Sequence, residues 1–127
     1  MSLTKENGLN FLRNMEGYHE ALKMIHWSTD NKAEHLLTDE IDSDILEYED
    51  RIAENIMGNL KIRYGVGDLK AFLPEATTLE SILDELEDDV VDFKDEIDGN
   101  SKMGGLFNIL DDFLESINKW KYLQTLK

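Results

Sequence analysis

The chain has 127 residues, a formal net charge of −15, one proline and no cysteine. That length suits one domain with a core of its own, and the missing cysteine excludes disulfides, zinc fingers, iron–sulfur clusters and thiol catalysis. The acidic balance disfavours nucleic-acid binding by an exposed face and favours cations; with no apolar run of bilayer length and no basic-then-apolar leader pattern, a cytoplasmic protein without a membrane span is expected.

Apolar residues recur at helical spacing in four blocks. The first helix is expected from about Glu6 to Ser28, with Leu12, Met15, Tyr18, Leu22 and Ile25 on its apolar stripe. Ser28, Thr29, Asp30 and Asn31 form a break rich in capping residues. The second helix is expected from about Ala33 to Tyr64, with Leu37, Ile41, Ile45, Tyr48, Ile52, Ile56 and Leu60 inward, and Gly65 and Gly67 ending it. The stretch from Asp68 to Leu73, before Pro74, has room for one short helix. Thr77 and Glu80 form a capping-box pattern ahead of the third helix, whose stripe is Leu79, Ile82, Leu83, Leu86, Val90, Phe93 and Ile97, with Gly99 as the stop. Ser101 is placed to cap a fourth helix carrying Leu106, Leu110, Phe113, Ile117, Trp120 and Leu123. No strand pattern competes, and no repeat or linker divides the chain. Two helices, a longer connection and two more helices predict an all-α, ferritin-like four-helix bundle with one crossover, built as a single domain over residues 1–127.

The residues that point to chemistry cluster on the second helix. His35 and Asp39 are four apart and share a face, as do Asp50 and Glu54. Asp39 and Asp50 are separated by close to three full turns, so all four side chains fall within an arc of roughly 100°. That arc points roughly 150° away from the apolar row of the same helix. Along the axis Asp39 and Asp50 lie about 16 Å apart, too far to hold one ion within one chain. A second copy, antiparallel across a two-fold axis near Asp44 and Ile45, would set His35 and Asp39 of one chain against Asp50 and Glu54 of the other. Leu36, Leu46, Ala53 and Met57 share the face and suit a buried contact, and His26 can reach its His35 half. Imidazole and carboxylate without thiolate suit iron, manganese or zinc.

The pattern His26-Trp27, His35, Asp39, Asp50, Glu54 resembles the Dps family, the miniferritins. The segment Asp50-Arg51-Ile52-Ala53-Glu54 reads very like the family's own. Leu69 to Leu73 falls where the family has its small connecting helix, and the ending Lys119-Trp120-Lys121-Tyr122-Leu123 resembles its last helix. The chain departs from the family in a shorter interval between His26 and His35 and in lacking a lysine-rich tail, so DNA binding does not carry over. The resemblance implies a ferroxidase site at a two-fold interface, with His26, His35 and Asp39 from one chain and Asp50 and Glu54 from the other as metal ligands and no further catalytic residue. It implies ferrous iron, in a mono-iron or di-iron site, as what is bound and oxidised by peroxide or dioxygen, with possible storage in a larger shell.

Plainer readings stand beside this one. Glu16 and His19 make a single Glu-x-x-His pair, whereas an intrabundle di-iron site needs two such pairs and two more glutamates. His19 is expected at the surface or partly packed, and Trp27 in core or interface packing. The acidic run from Asp84 to Asp98 reads as a solvated face. Tyr64-Gly65-Val66-Gly67 follows no strand and precedes no suitably placed lysine, so it is not a phosphate loop. The alternative function is a structural or interaction protein that keeps the ferritin-like bundle without iron chemistry.

Overall fold

A computed structural model of the chain describes residues 2–98 and 101–126. Four helices form, α1 Lys5–Ser28, α2 Lys32–Leu60, α3 Leu79–Glu96 and α4 Gly104–Leu123, with a 3-10 turn at Ser101–Met103 and no strand among the described residues. None of these helices is long and apolar enough to cross a membrane. The expected stripes turn inward. Met15, Leu22, Ile41, Ile45, Ile52, Ile56, Leu83, Leu86, Val90, Leu106, Leu110, Phe113 and Ile117 have no exposed surface. Stacked rings at Phe11–Phe93 (4.2 Å) and Tyr48–Phe113 (4.5 Å) tie the helices across this core.

Each helix borders two others, in the ring order α1, α2, α4, α3. Every bordering pair is antiparallel. Gly8 lies against Ile56 while His26 lies against His35; Phe11 meets Phe93 while Tyr18 meets Asp89. On the other side Asn55 approaches Gly105 and Tyr48 bonds Ser116, and Lys94 and Lys121 reach Asp111 and Asp84. Diagonal α2 and α3 are therefore parallel, and segment 61–78 must run the length of the bundle, about 27 Å for a helix the size of α3. This is the single crossover anticipated from the order of elements.

Four local expectations are corrected. Helix α2 stops at Leu60 rather than Tyr64, because Lys61 takes a left-handed backbone (φ 55°) and both it and Ile62 donate to the Met57 carbonyl. No helix forms over 68–73. The Phe72 N–H donates to the Arg13 carbonyl at 3.0 Å, and the Asp68 carbonyl accepts from Arg13 Nε at 3.0 Å, so α1 takes the backbone groups a local helix needs. Glycine at position 17 makes this crossing possible: a Cβ there would sit 1.8 Å from the Phe72 carbonyl oxygen. Helix α3 is capped by Thr78 and Ser81 in place of Thr77 and Glu80, the Thr78 hydroxyl accepting from Ser81 N–H. Helix α4 has Met103, rather than Ser101, at its cap position. The expected stop at Gly99 lies outside the described residues; α3 ends at Glu96 with Ile97 as its cap.

Candidate metal centre

His26 closes α1 and His35 opens α2, and the short break between the helices folds one back onto the other. Thr29 and Asn31 make that turn: Thr29 N–H continues to the Ile25 carbonyl, and the Asn31 side chain accepts from Glu34 N–H. The interval is short, yet it lands His26 on His35. Their rings stack with centroids 3.8 Å apart and planes 18° from parallel. His26 Nδ1 lies 2.7 Å from the His35 carbonyl, and His35 Nδ1 lies 2.7 Å from the His26 carbonyl. A carbonyl only accepts, so both Nδ1 atoms carry protons and donate. Each neutral ring then keeps its lone pair on Nε2. Ligating histidines are commonly oriented this way, with the second nitrogen bonded to a backbone carbonyl. Buried Thr38 packs under the pair, donating to the Glu34 carbonyl at 2.9 Å with its oxygen 3.3 Å from His26 Nδ1.

Stacking also limits what the two rings can hold. An ion on an imidazole lies in the ring plane about 2 Å from nitrogen. Two planes stacked at this spacing and tilt do not meet at that distance, so the pair does not chelate one ion.

The carboxylates lie elsewhere on the outer face of α2. Asp39, Asp50 and Glu54 are exposed, and His35 is half-buried. Asp50 and Glu54 are close enough to share a hydrogen bond. That bond and the Asp50 charge push the Glu54 carboxyl above its usual range. Asp39 stands three turns from Asp50, as the spacing requires. The structure thus joins His26 to His35 and Asp50 to Glu54, and keeps the two halves apart. Among the described residues of one chain no set of three or more His, Cys, Asp or Glu is arranged to hold an ion.

The pairing of α1 and α2 buries a second acidic group that the sequence did not single out. Glu49 sits against Glu16, and its Oε2 is buried without a hydrogen-bond partner. Burial first, then Glu16, Asp42 and Asp50, push the Glu49 carboxyl up to about 8. Asp42 takes its own partner, His19 Nδ1, at 2.5 Å. His19 is therefore half-buried against Asp42, within the range expected. A cavity of about 200 Å³ opens beside Asp50, with Leu12, Leu46, Glu49, Ala53 and Leu69 as its other walls. Glu49 lies seven residues from Asp42, two turns along the edge that faces α1. That spacing was the only signal, and an acid-rich helix repeats it often.

Elsewhere five acids of the α3 run, Asp84, Asp88, Asp92, Asp95 and Asp98, are exposed as expected, while Glu85, Glu87, Asp89 and Glu96 are half-buried. The buried Tyr18 hydroxyl donates to Asp89 and lies 3.4 Å from Glu85. Burial and the two carboxylates push that phenol far above its usual range. Trp27, expected in core or interface packing, is outside the core of the single chain at 67% exposed, with the Lys23 ammonium 5.7 Å from its ring centroid.

No family model, no curated protein and no solved structure matches the chain.

Proposed function

We propose that the chain binds ferrous iron between two copies of itself and oxidises it, as its resemblance to the miniferritins implies. One observation carries this reading: the reciprocal Nδ1 bonds of His26 and His35, which leave Nε2 as the free lone pair of each ring, His35 being on the same helix as Asp39, Asp50 and Glu54. The two half-sites fit only if a second α2 lies antiparallel to the first. His26, His35 and Asp39 of one copy then meet Asp50 and Glu54 of the other, and the two-fold axis makes two such centres.

The stacked rings favour a centre for two ions, one per imidazole, with the carboxylates shared between them. Two ferrous ions surrender one electron each. Hydrogen peroxide takes up both, its O–O bond breaks, and two hydroxides result. Asp50 and Glu54 would bind as carboxylates, so protons compete with iron for this pair. Manganese or zinc would suit the same donor set. Dioxygen as oxidant, the cytoplasm as setting, and a larger shell for storage belong to this reading through the resemblance.

The test is an anaerobic calorimetric titration of the metal-free protein with ferrous iron, followed by peroxide. Saturation near two irons per chain, then rapid growth of ferric absorbance, supports the proposal. Binding no tighter than diffuse association with an acidic surface sinks it. One observation favours the second reading, an interaction protein without iron chemistry: both His26 and His35 already serve the fold by latching α1 to α2.

A further inference from the structure

At one end of the bundle, the starts of α2 and α3 and the end of α4 border a groove of about 550 Å³. Its walls are rich in leucine. Leu79 is buried, Leu37 and Leu123 are half-buried, and Leu36 and Leu126 stand 58% and 52% exposed. The lining follows α2 from Asn31 to Glu40, about 14 Å or two and a half turns. Exposed apolar side chains gathered in one groove mark a contact site.

The charged part of the lining is acidic. Glu34 precedes Leu37 by one turn, and Glu40 follows Leu36 and Leu37 by one turn. Neither carboxylate has an ion-pair partner among the described residues, and no lysine or arginine lines the groove. The acidic flank continues along α2, where Asp44 feels the charges of Glu40 and Glu47, with Lys119 of α4 as the opposing cation. Leucines beside unbalanced carboxylates complement a basic amphipathic surface. They repel anionic lipid and nucleic acid. A second copy would bring its own charge of −15 against the same rim.

We propose that this groove docks a basic amphipathic helix from a partner protein. Two and a half turns accommodate apolar anchors at i, i+3 or i+4, and i+7 against the leucines, while lysine or arginine beside the anchors meets Glu34 and Glu40. Burial of the anchors supplies affinity, and the carboxylates fix orientation and speed the encounter. The contact is separate from the iron half-sites. Glu40 and Leu37 lie roughly 100° and 160° around α2 from Asp39, on the flank turned toward α4.

The experiment titrates the full chain into a fluorescently labelled leucine–lysine peptide that forms an amphipathic helix of about four turns. Anisotropy reads the affinity, amide NMR spectra of the complex locate the site, and a scrambled peptide of the same composition is the control. The expected result is one peptide per chain, with shifted amides at Leu36, Leu123, Gln124 and Leu126. The scrambled peptide should bind roughly tenfold more weakly or worse. Leu126→Ser and Glu40→Lys should each weaken the helical peptide roughly tenfold. Both side chains are exposed, so circular dichroism should match wild type. Asp92→Lys makes the same charge change at an exposed position on α3 and should alter affinity by no more than about twofold. No binding, equal binding of the scrambled peptide, equal losses in Glu40→Lys and Asp92→Lys, or shifts confined to other surfaces overturns the proposal. A wild-type dimer that Leu126→Ser dissociates in sedimentation equilibrium gives the groove to a second copy and overturns it as well.

Discussion

His26 and His35 each donate an Nδ1 proton to the other's backbone carbonyl, at 2.7 Å in both directions. The arrangement is a fold contact and a tautomer lock together, so its loss has two readouts. His26→Ala removes one hydrogen bond and a ring stack, and leaves the His35 carbonyl with Thr38. It should cost about 1–2 kcal/mol in urea unfolding and weaken ferrous iron binding in calorimetry. His26→Asn, which donates from a comparable position, should recover most of the stability and little of the iron affinity.

Asp50 and Glu54 are exposed and support no packing. Asp50→Asn with Glu54→Gln should leave the helical circular dichroism and melting temperature near wild type while tight iron binding disappears. Iron affinity equal to wild type in this double variant would remove both residues from the site.

Gly17→Ala puts a methyl group where the Phe72 carbonyl oxygen lies. The obstacle is backbone, which cannot rotate away like a flexible side chain. The crossover must lift, losing the Phe72–Arg13 bond and the approach of the Arg13 guanidinium to the Phe72 ring at 5.4 Å. The expected cost is about 1–3 kcal/mol, despite the better helix propensity of alanine. Limited proteolysis should cut within 61–78 sooner than in wild type.

Glu49 predicts an unusual slope of stability with pH. Its folded pKa, about 8, lies above its ordinary 4.5, so the folded state holds the proton more tightly than the unfolded state. The associated stability is fully present below about pH 4.5 and drains away as pH rises through 8. Half-buried Asp89 and partly exposed Asp44, both pushed up first by desolvation, act in the same direction over the acidic range. Thermal melts should therefore show the melting temperature falling from pH 5 to pH 8.5. Glu49→Gln should flatten the upper part of that fall, and an equal slope in the variant would refute the assignment.

The helices were legible because each carries an apolar stripe at one spacing, and Leu79 through Ile97 turned inward as that spacing required. The crossover was legible too, from a long connection between two short-linked pairs. Its internal structure was not. Asp68 to Leu73 has a helical composition, but its backbone is claimed by Arg13, more than fifty positions away in the chain. Of the candidate site, the sequence put His26 within reach of His35, while the shortened break argued against a familiar placement; the ring stack came only with the structure. Glu49 escaped notice because an acid at a helix–helix edge looks, in sequence, like any other acid on this chain. Trp27 was assigned to packing by its type alone; its exposure depends on how α1 and α2 are rotated against each other.

The ring order of the helices also dictates a sequence of events in time. Helices α1 and α2 meet across a break of a few residues, as do α3 and α4, so each hairpin closes locally and fast. Joining the hairpins means closing a loop from one end of the molecule to the other, which is slower because its entropy is lost before its contacts form. The two histidines belong to the first kind of contact and the seating of Phe72 on α1 to the second. On these grounds the latch at the helical corner is expected to form while the hairpin has yet to find its other half, and the outer strap is expected to settle last.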